Sequence, residues 1–419
     1  MATHTDIRPF KIAVPDSQLQ EIRAKLDLTR LPDELELPIG QEWEWGIPLA
    51  VLKPTIEYWR TKYDWRKVEE HINQTLPQFT TYVDSANHGQ QEVHFVHKKS
   101  NNPNATPLIF VHGWPGNFLE VSKMIDELAN PTDPKHPAFH VVAPSLPGFV
   151  FSQRARTPGM NARGTAYLFD KLMANLGYKH YMAQGGDWGA LVCRAFAVYH
   201  QETCLAIHQN VNFFSLPTLS RNPIMTLKLM LGSASLPGGY SKEEMEGLKT
   251  MDEFQTTGSG YARIQGSRPQ TLAVAMTDSP AGLLAWIGEK LYAWTDSYPW
   301  TADELITWTM LYWVNGPAGG FRYYKENPFM GTSQDPTAIA ELKHLNSTWS
   351  PTPLGFSSFP KELARFPLEW NGVNQNLVYG KEHTKGGHFA AWEVPDLLLE
   401  DIRGFAQVVL PKEQRLRAH

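Results

Sequence analysis

The sequence predicts an α/β protein: a mostly parallel central sheet with helices on both faces, an inserted helical lid and an N-terminal meander. Three observations predict it. Short apolar runs alternate with helix-length segments from Gln91 to His208, the pattern of a parallel sheet whose crossovers are helices. One run turns sharply through Gly185-Gly186-Asp187-Trp188-Gly189 into a helix-forming stretch. After Phe214 the strand pattern stops, and it resumes only at Leu354. A chain that leaves a sheet and later returns to it has inserted a lid.

Each element follows from its residues. Residues 1–90 read as helical and partly extended. Pro15-Asp16-Ser17 precedes a periodic helix carrying Leu19, Ile22, Leu26 and Leu28, with Ser17 and Gln20 spaced as a capping box. Trp43, Trp45, Trp59 and Trp65 concentrate too much apolar surface here for a free arm, so the segment should pack onto the main body. Strands are then expected at Gln91–Val96, Thr106–Val111, Phe139–Pro144, Lys179–Gln184 and Cys204–His208. Residues 215–345 read as helix and loop, and Thr309–Val314 within them fits a strand or a buried helix equally well. Strands return at Leu354–Phe359 and Asn376–Tyr379. The expected organisation is a meander over 1–90, a core over 91–214 and 346–419, and a lid over 215–345.

Composition narrows the function. The 419 residues, 42% hydrophobic, exceed what one compact core usually holds, so a large domain with an insertion is natural. Lys plus Arg (38) against Asp plus Glu (43) gives a net charge of −5 with no basic stripe, which argues against nucleic acid or an anionic membrane as partner. The two cysteines, Cys193 and Cys204, cannot build a disulfide framework or a four-ligand metal site and read as buried thiols. Met1–Arg8 lacks the apolar stretch of a signal peptide, and Arg415–His419 matches no retention or peroxisomal tag. No apolar run reaches the roughly 18 residues of a membrane span. A soluble cytoplasmic protein is expected. Fourteen tryptophans suit core packing and the walls of an apolar ligand pocket.

The chemistry centres on Asp187. Strand, glycine-flanked turn, helix is the context of a nucleophile elbow, and here the projecting residue is an acid. A carboxylate needs no base to ionise it at neutral pH, and it can displace a leaving group at saturated carbon to form an alkyl ester. The alternative is a loop Asp that caps the following helix. Hydrolysing such an ester requires a base for water. His388, in Gly386-Gly387-His388-Phe389 just after the last strand, is placed for this, with His383 as local competitor. Glu362, in Phe359-Pro360-Lys361-Glu362-Leu363, could fix the imidazole tautomer and stabilise its cation; otherwise it is a first-turn Glu facing a helix dipole. The oxyanion of ester hydrolysis wants backbone N–H donors. Trp114, in His112-Gly113-Trp114-Pro115, and Trp188 can supply them, whereas Pro115 has none to give.

Taken together, the blocks His112–Gly116, Gly185–Gly189, Gly355–Leu363 and Gly386–Ala391, with the N-terminal meander, resemble epoxide hydrolases of the α/β-hydrolase superfamily, in the microsomal-type branch. The likeness covers nearly the whole chain. It implies an enzyme without metal or organic cofactor that converts small-molecule epoxides and water to vicinal diols. The family's nucleophile, charge-relay acid and base fall on Asp187, Glu362 and His388. Its two lid tyrosines, which donate hydrogen bonds to the epoxide oxygen, fall on Tyr261 and on Tyr324, with Tyr323 as the neighbouring candidate. Lacking the apolar N-terminal helix of anchored members, the chain is similar to the soluble fungal and bacterial ones, and a homodimer is left open. Two rivals remain: a haloalkane dehalogenase with the same triad and the Trp188 indole as halide donor, and a non-catalytic ligand-binding protein on the same fold.

Overall fold

The structure is a computed structural model describing residues 6–212, 217–328, 331–332 and 335–417. The expected core–lid boundary at 214/215, residues 1–5 and the last two residues lie outside the described residues. Among those described, one sheet contains β1 (Arg8–Phe10), β2 (Gln78–Ser85), β3 (Gly89–Lys98), β4 (Thr106–Val111), β5 (Phe139–Pro144), β6 (Tyr181–Gly185), β7 (Cys204–Gln209), β8 (Ser350–Ser358) and β9 (Gln375–Glu382). Their order is β1-β2-β3-β5-β4-β6-β7-β8-β9. The edge from β1 to β5 is antiparallel and everything from β5 through β9 is parallel.

The parallel strands are covered on both faces, which is why they are continuous apolar runs. Every residue of β4, β5, β6 and β7 is buried. The crossovers on either side of β6 are helices, Ala162–Asn175 before it and Trp188–Tyr199 after it. The first starts at Asn161, whose side chain accepts the Gly164 N–H and satisfies one of the donors a helix start leaves open. Between β7 and β8 the described residues form helices from Pro223–Ser233 to Pro336–Ser347, including Ala302–Val314. The ambiguous Thr309–Val314 run is thus helical. Cys193 and Cys204 are buried and free, and no described helix is long and apolar enough to cross a membrane.

The N-terminal region departs from expectation in three ways. Strands β1 and β2 carry no clear apolar alternation, because three of the buried positions of β2 are Gln78, Thr80 and Thr81. The first helix, Asp16–Asp27, is preceded by Pro15 and has no side-chain cap, so Ser17 is inside it and forms no capping box. Asp16 instead pairs with Arg66. Trp59 and Trp65 are buried, but Trp45 is 75% exposed and Leu28 81%; Trp43 only rests against the Tyr292 ring.

Candidate active site

The carboxyl ends of parallel strands are where such sheets gather their functional groups. There β6 ends at Gly185 and the next helix starts at Trp188, leaving Asp187 at φ 48° and ψ −128°. A non-glycine residue in that region costs about 1–3 kcal/mol, and the glycines around it show how tightly the turn is packed. A Cβ on Gly185 would lie 2.4 Å from the Gly189 carbonyl carbon, and one on Gly189 would lie 1.9 Å from the Val111 oxygen. Asp187 occupies the N-cap position yet makes no capping bond, which removes the capping alternative.

Its carboxylate points elsewhere. Oδ1 accepts the Trp114 N–H at 2.8 Å, and Oδ2 lies 3.3 Å from His388 Nε2. The helix N-terminus behind it favours negative charge. Gly113 is needed for this approach, because a Cβ there would stand 2.1 Å from Asp187 Oδ1. Trp188 opens the helix. His112 supports the same turn: it donates from Nδ1 to the Gly113 carbonyl and accepts the Leu146 N–H at Nε2. Burial lowers its pKa to about 4 and keeps it neutral.

Glu362 lies in the loop after β8 rather than in a helix, so the first-turn reading fails for it. Its Oε1 accepts from His388 Nδ1 at 2.6 Å and from the Leu363 N–H at 2.8 Å. A bridge between Lys361 and Gly387 draws the two loops together. Burial pushes the imidazole toward neutrality, but the charge of Glu362 and the hydrogen bonds to Asp187 and Glu362 outweigh it and raise His388 to about 10. His383 is elsewhere: its Nε2 pairs with Asp401 at 2.6 Å and its ring stacks on Phe359.

Sequence reasoning missed the groups that hold the His388 loop. The His388 N–H donates to the Trp294 carbonyl at 2.8 Å, and the Trp294 ring stands edge-on to the imidazole. Asp296 accepts the Gly386 N–H, and Glu393 accepts the Gly387 N–H. These partners are distant in sequence or unremarkable in pattern, and no local signal marks them.

Above Asp187 lies a cavity of about 340 Å³ whose walls include Asp187, His388, Tyr261 and Tyr324, within the range of small-molecule sites. Tyr261 comes from helix Gly260–Ser267 and Tyr324 from helix Ala318–Glu326. The Trp114 ring stacks on Tyr261 and meets Tyr324 edge-on, and the Trp188 ring also meets Tyr324 edge-on. Burial, reinforced by neighbouring charge, raises both phenols well above their ordinary value, so both stay protonated. Tyr323 instead bonds Thr165 at 2.9 Å and is not part of the cavity wall. Among the described residues no group of three His, Cys, Asp or Glu side chains could hold a metal ion.

Comparison with known proteins places the chain. Residues 7–121 match the family described as "Epoxide hydrolase N terminus", and residues 106–242 the "alpha/beta hydrolase fold". The sequence is 34% identical to the pig (Sus scrofa) protein named "Epoxide hydrolase 1", over 96% of this chain and 89% of that one. The chain belongs to the epoxide hydrolase family. Two solved epoxide hydrolases superimpose along almost the full length of the chain. For the Aspergillus niger enzyme the TM-score is 0.82 at 30% identity, covering 97% of both chains. For the juvenile hormone epoxide hydrolase of Bombyx mori it is 0.85 at 28% identity, covering 98% of this chain and 96% of that one. Its fold is the α/β-hydrolase fold, and epoxide hydrolase membership sets aside the dehalogenase reading.

Proposed function

We propose that this protein hydrolyses small-molecule epoxides to vicinal diols through a covalent ester on Asp187. The observation that carries the reading is the placement of Asp187: one oxygen on the Trp114 N–H, the other beside His388, and two protonated phenols in the same cavity. Oδ2 attacks an epoxide carbon from the side opposite the C–O bond. As that bond breaks, the oxygen takes a proton from Tyr261 or Tyr324, leaving a phenolate. Oδ1 becomes the ester carbonyl oxygen, already seated on the Trp114 N–H.

Alkylation also prepares the second step. It removes the negative charge of Asp187, one of the groups that raise His388, so the imidazolium gives up its proton and the phenolate regains one. Neutral His388, held by Glu362, then takes a proton from water, and the hydroxide attacks Cγ. The oxyanion forms on Oδ1, with the Trp114 and Trp188 N–H groups as its donors. Collapse releases the diol oxygen, which takes the acid proton of Asp187 and restores the carboxylate and the imidazolium. In this reading the segment 215–345 serves as the lid that delivers both phenols, and residues 1–90 form a meander on the core.

His388→Gln tests the assignment. It should still alkylate but fail to hydrolyse, so mass spectrometry after mixing with styrene oxide should show protein heavier by one substrate molecule. Folded variant without adduct would count against His388 as the base.

A further inference from the structure

A second, smaller cavity lies beneath the first. It shares only Asp187 and His388 with the 340 Å³ cavity; its other walls come from the core, including Gly116, Glu120, Gln184 and Asn210. Its volume of about 10 Å³ is room for one water molecule, and a buried water needs two to four polar partners. Those partners are present. Gln184 Oε1 is buried and makes no hydrogen bond among the described residues. The Glu120 carboxyl folds back over Gly116, where a Cβ would lie 1.7 Å from its Oε1, and it accepts the Asn117 N–H. That last bond caps its own short helix, Phe118–Lys123, but capping alone does not require a carboxyl to border the nucleophile.

We propose that Glu120 and Gln184 hold the water that hydrolyses the Asp187 ester, in a site separate from the one that holds the substrate. The inference rests on the two-step reading above. Once Asp187 is alkylated, the substrate chain fills the upper cavity, and water arriving from that side would compete with it for space. A water held below touches both groups it must meet, His388 and Asp187, before alkylation occurs. Glu120 is thus a positioning residue for that water.

The charge state of Glu120 supports this role. Burial pushes the carboxyl up to about 8, with the His388 charge lowering it, the Asp187 charge raising it and the Asn117 N–H lowering it. Tyr312, from helix Ala302–Val314, is the other titratable group it faces, and that phenol stays protonated. The charges of Asp187 and His388 are both lost in the ester state ready for hydrolysis, and their effects on Glu120 oppose each other. Neutral Glu120 can both donate to and accept from the water. Ionised, it sets a second negative charge beside the developing oxyanion. Ester hydrolysis should therefore rise with pH as His388 loses its proton and fall again as Glu120 ionises.

Single-turnover stopped-flow fluorescence with styrene oxide separates the steps in the wild type, Glu120→Leu and Glu120→Gln. Alkylation should be equal in all three, which also certifies folding. Ester hydrolysis in Glu120→Leu should slow about a hundredfold, the cost of a misplaced reactant. Glu120→Gln should recover most of that loss and abolish the descending limb of the pH profile. Should the Leu variant not fold, the Gln profile alone decides. Unchanged hydrolysis in Glu120→Leu, a parallel loss of both steps, or a descending limb that survives in Glu120→Gln would overturn the proposal. A wild type that shows no ester intermediate would overturn the two-step reading itself, and this inference with it.

Discussion

Replacing Tyr324 by Phe deletes one oxygen from a wall of the substrate cavity and nothing else. The ring is 1% exposed and meets both the Trp114 and the Trp188 ring edge-on, so its packing survives. Its hydroxyl has the Tyr261 side chain as hydrogen-bond partner, and a single such bond contributes only about 1 kcal/mol net. The fold should therefore lose little stability. Activity should respond far more strongly. Loss of one preorganised donor to a developing oxyanion costs ~3 kcal/mol, roughly a hundredfold in rate. Only the alkylation step should carry that loss, because the phenol acts on the epoxide oxygen and not on the ester. Tyr261 faces the same cavity and still donates, so the double Phe variant need not show the product of the two single effects. Pre-steady-state tryptophan fluorescence follows both steps, since Trp114 supplies a donor to Asp187 and packs on both tyrosines. A double variant that alkylates at the wild-type rate with an unchanged Tm would refute the role of the phenols. Slow alkylation accompanied by a large drop in Tm would refute the reasoning about packing.

Other perturbations reach different parts of the same site. Glu362→Gln removes the charge that most raises His388, so the imidazole should lose its proton at lower pH. The ascending limb of the ester-hydrolysis profile should move to lower pH while its plateau falls, because the imidazole loses a charged partner. A limb that moves to higher pH would contradict the assignment. Gly113→Ala places a methyl 2.1 Å from Asp187 Oδ1, so alkylation should be lost in protein that still folds; rapid-quench detection of the ester checks this, and wild-type alkylation would exclude the tight Gly113 approach. Asp296→Ala frees the Gly386 N–H and should slow ester hydrolysis more than alkylation, since it loosens the loop carrying the base; single-turnover rates measure both.

The parallel half of the sheet was readable because burial on both faces leaves unbroken apolar runs. Strands β4 and β5 fall on the residues expected, and β6 starts two residues later than expected. The antiparallel edge was not readable. Strand β2 pairs with β3 along its whole length, yet it buries Gln78, Thr80 and Thr81, so hydropathy gives no alternation to follow. The meeting of Asp187 and His388 was legible from glycine spacing and from position after strands, whereas Glu362 was marked only by the family resemblance. What holds them was not. Trp294, Asp296 and Glu393 act through backbone groups, and Glu120 lines a small cavity that only the folded chain creates. Glu120 illustrates the difficulty: in sequence it is an ordinary acid in the first turn of a helix, and only the missing side chain at Gly116 lets it fold back toward the nucleophile.

The covalent role of Asp187 has the most direct test. In a single turnover carried out in heavy-oxygen water with enzyme in excess, the oxygen added to the epoxide should come from the carboxylate. The first diol should be unlabelled, and the label should appear in the peptide containing Asp187. Label entering the first diol, with an unlabelled Asp187 peptide, would mean that water attacks the epoxide itself and would contradict the covalent scheme.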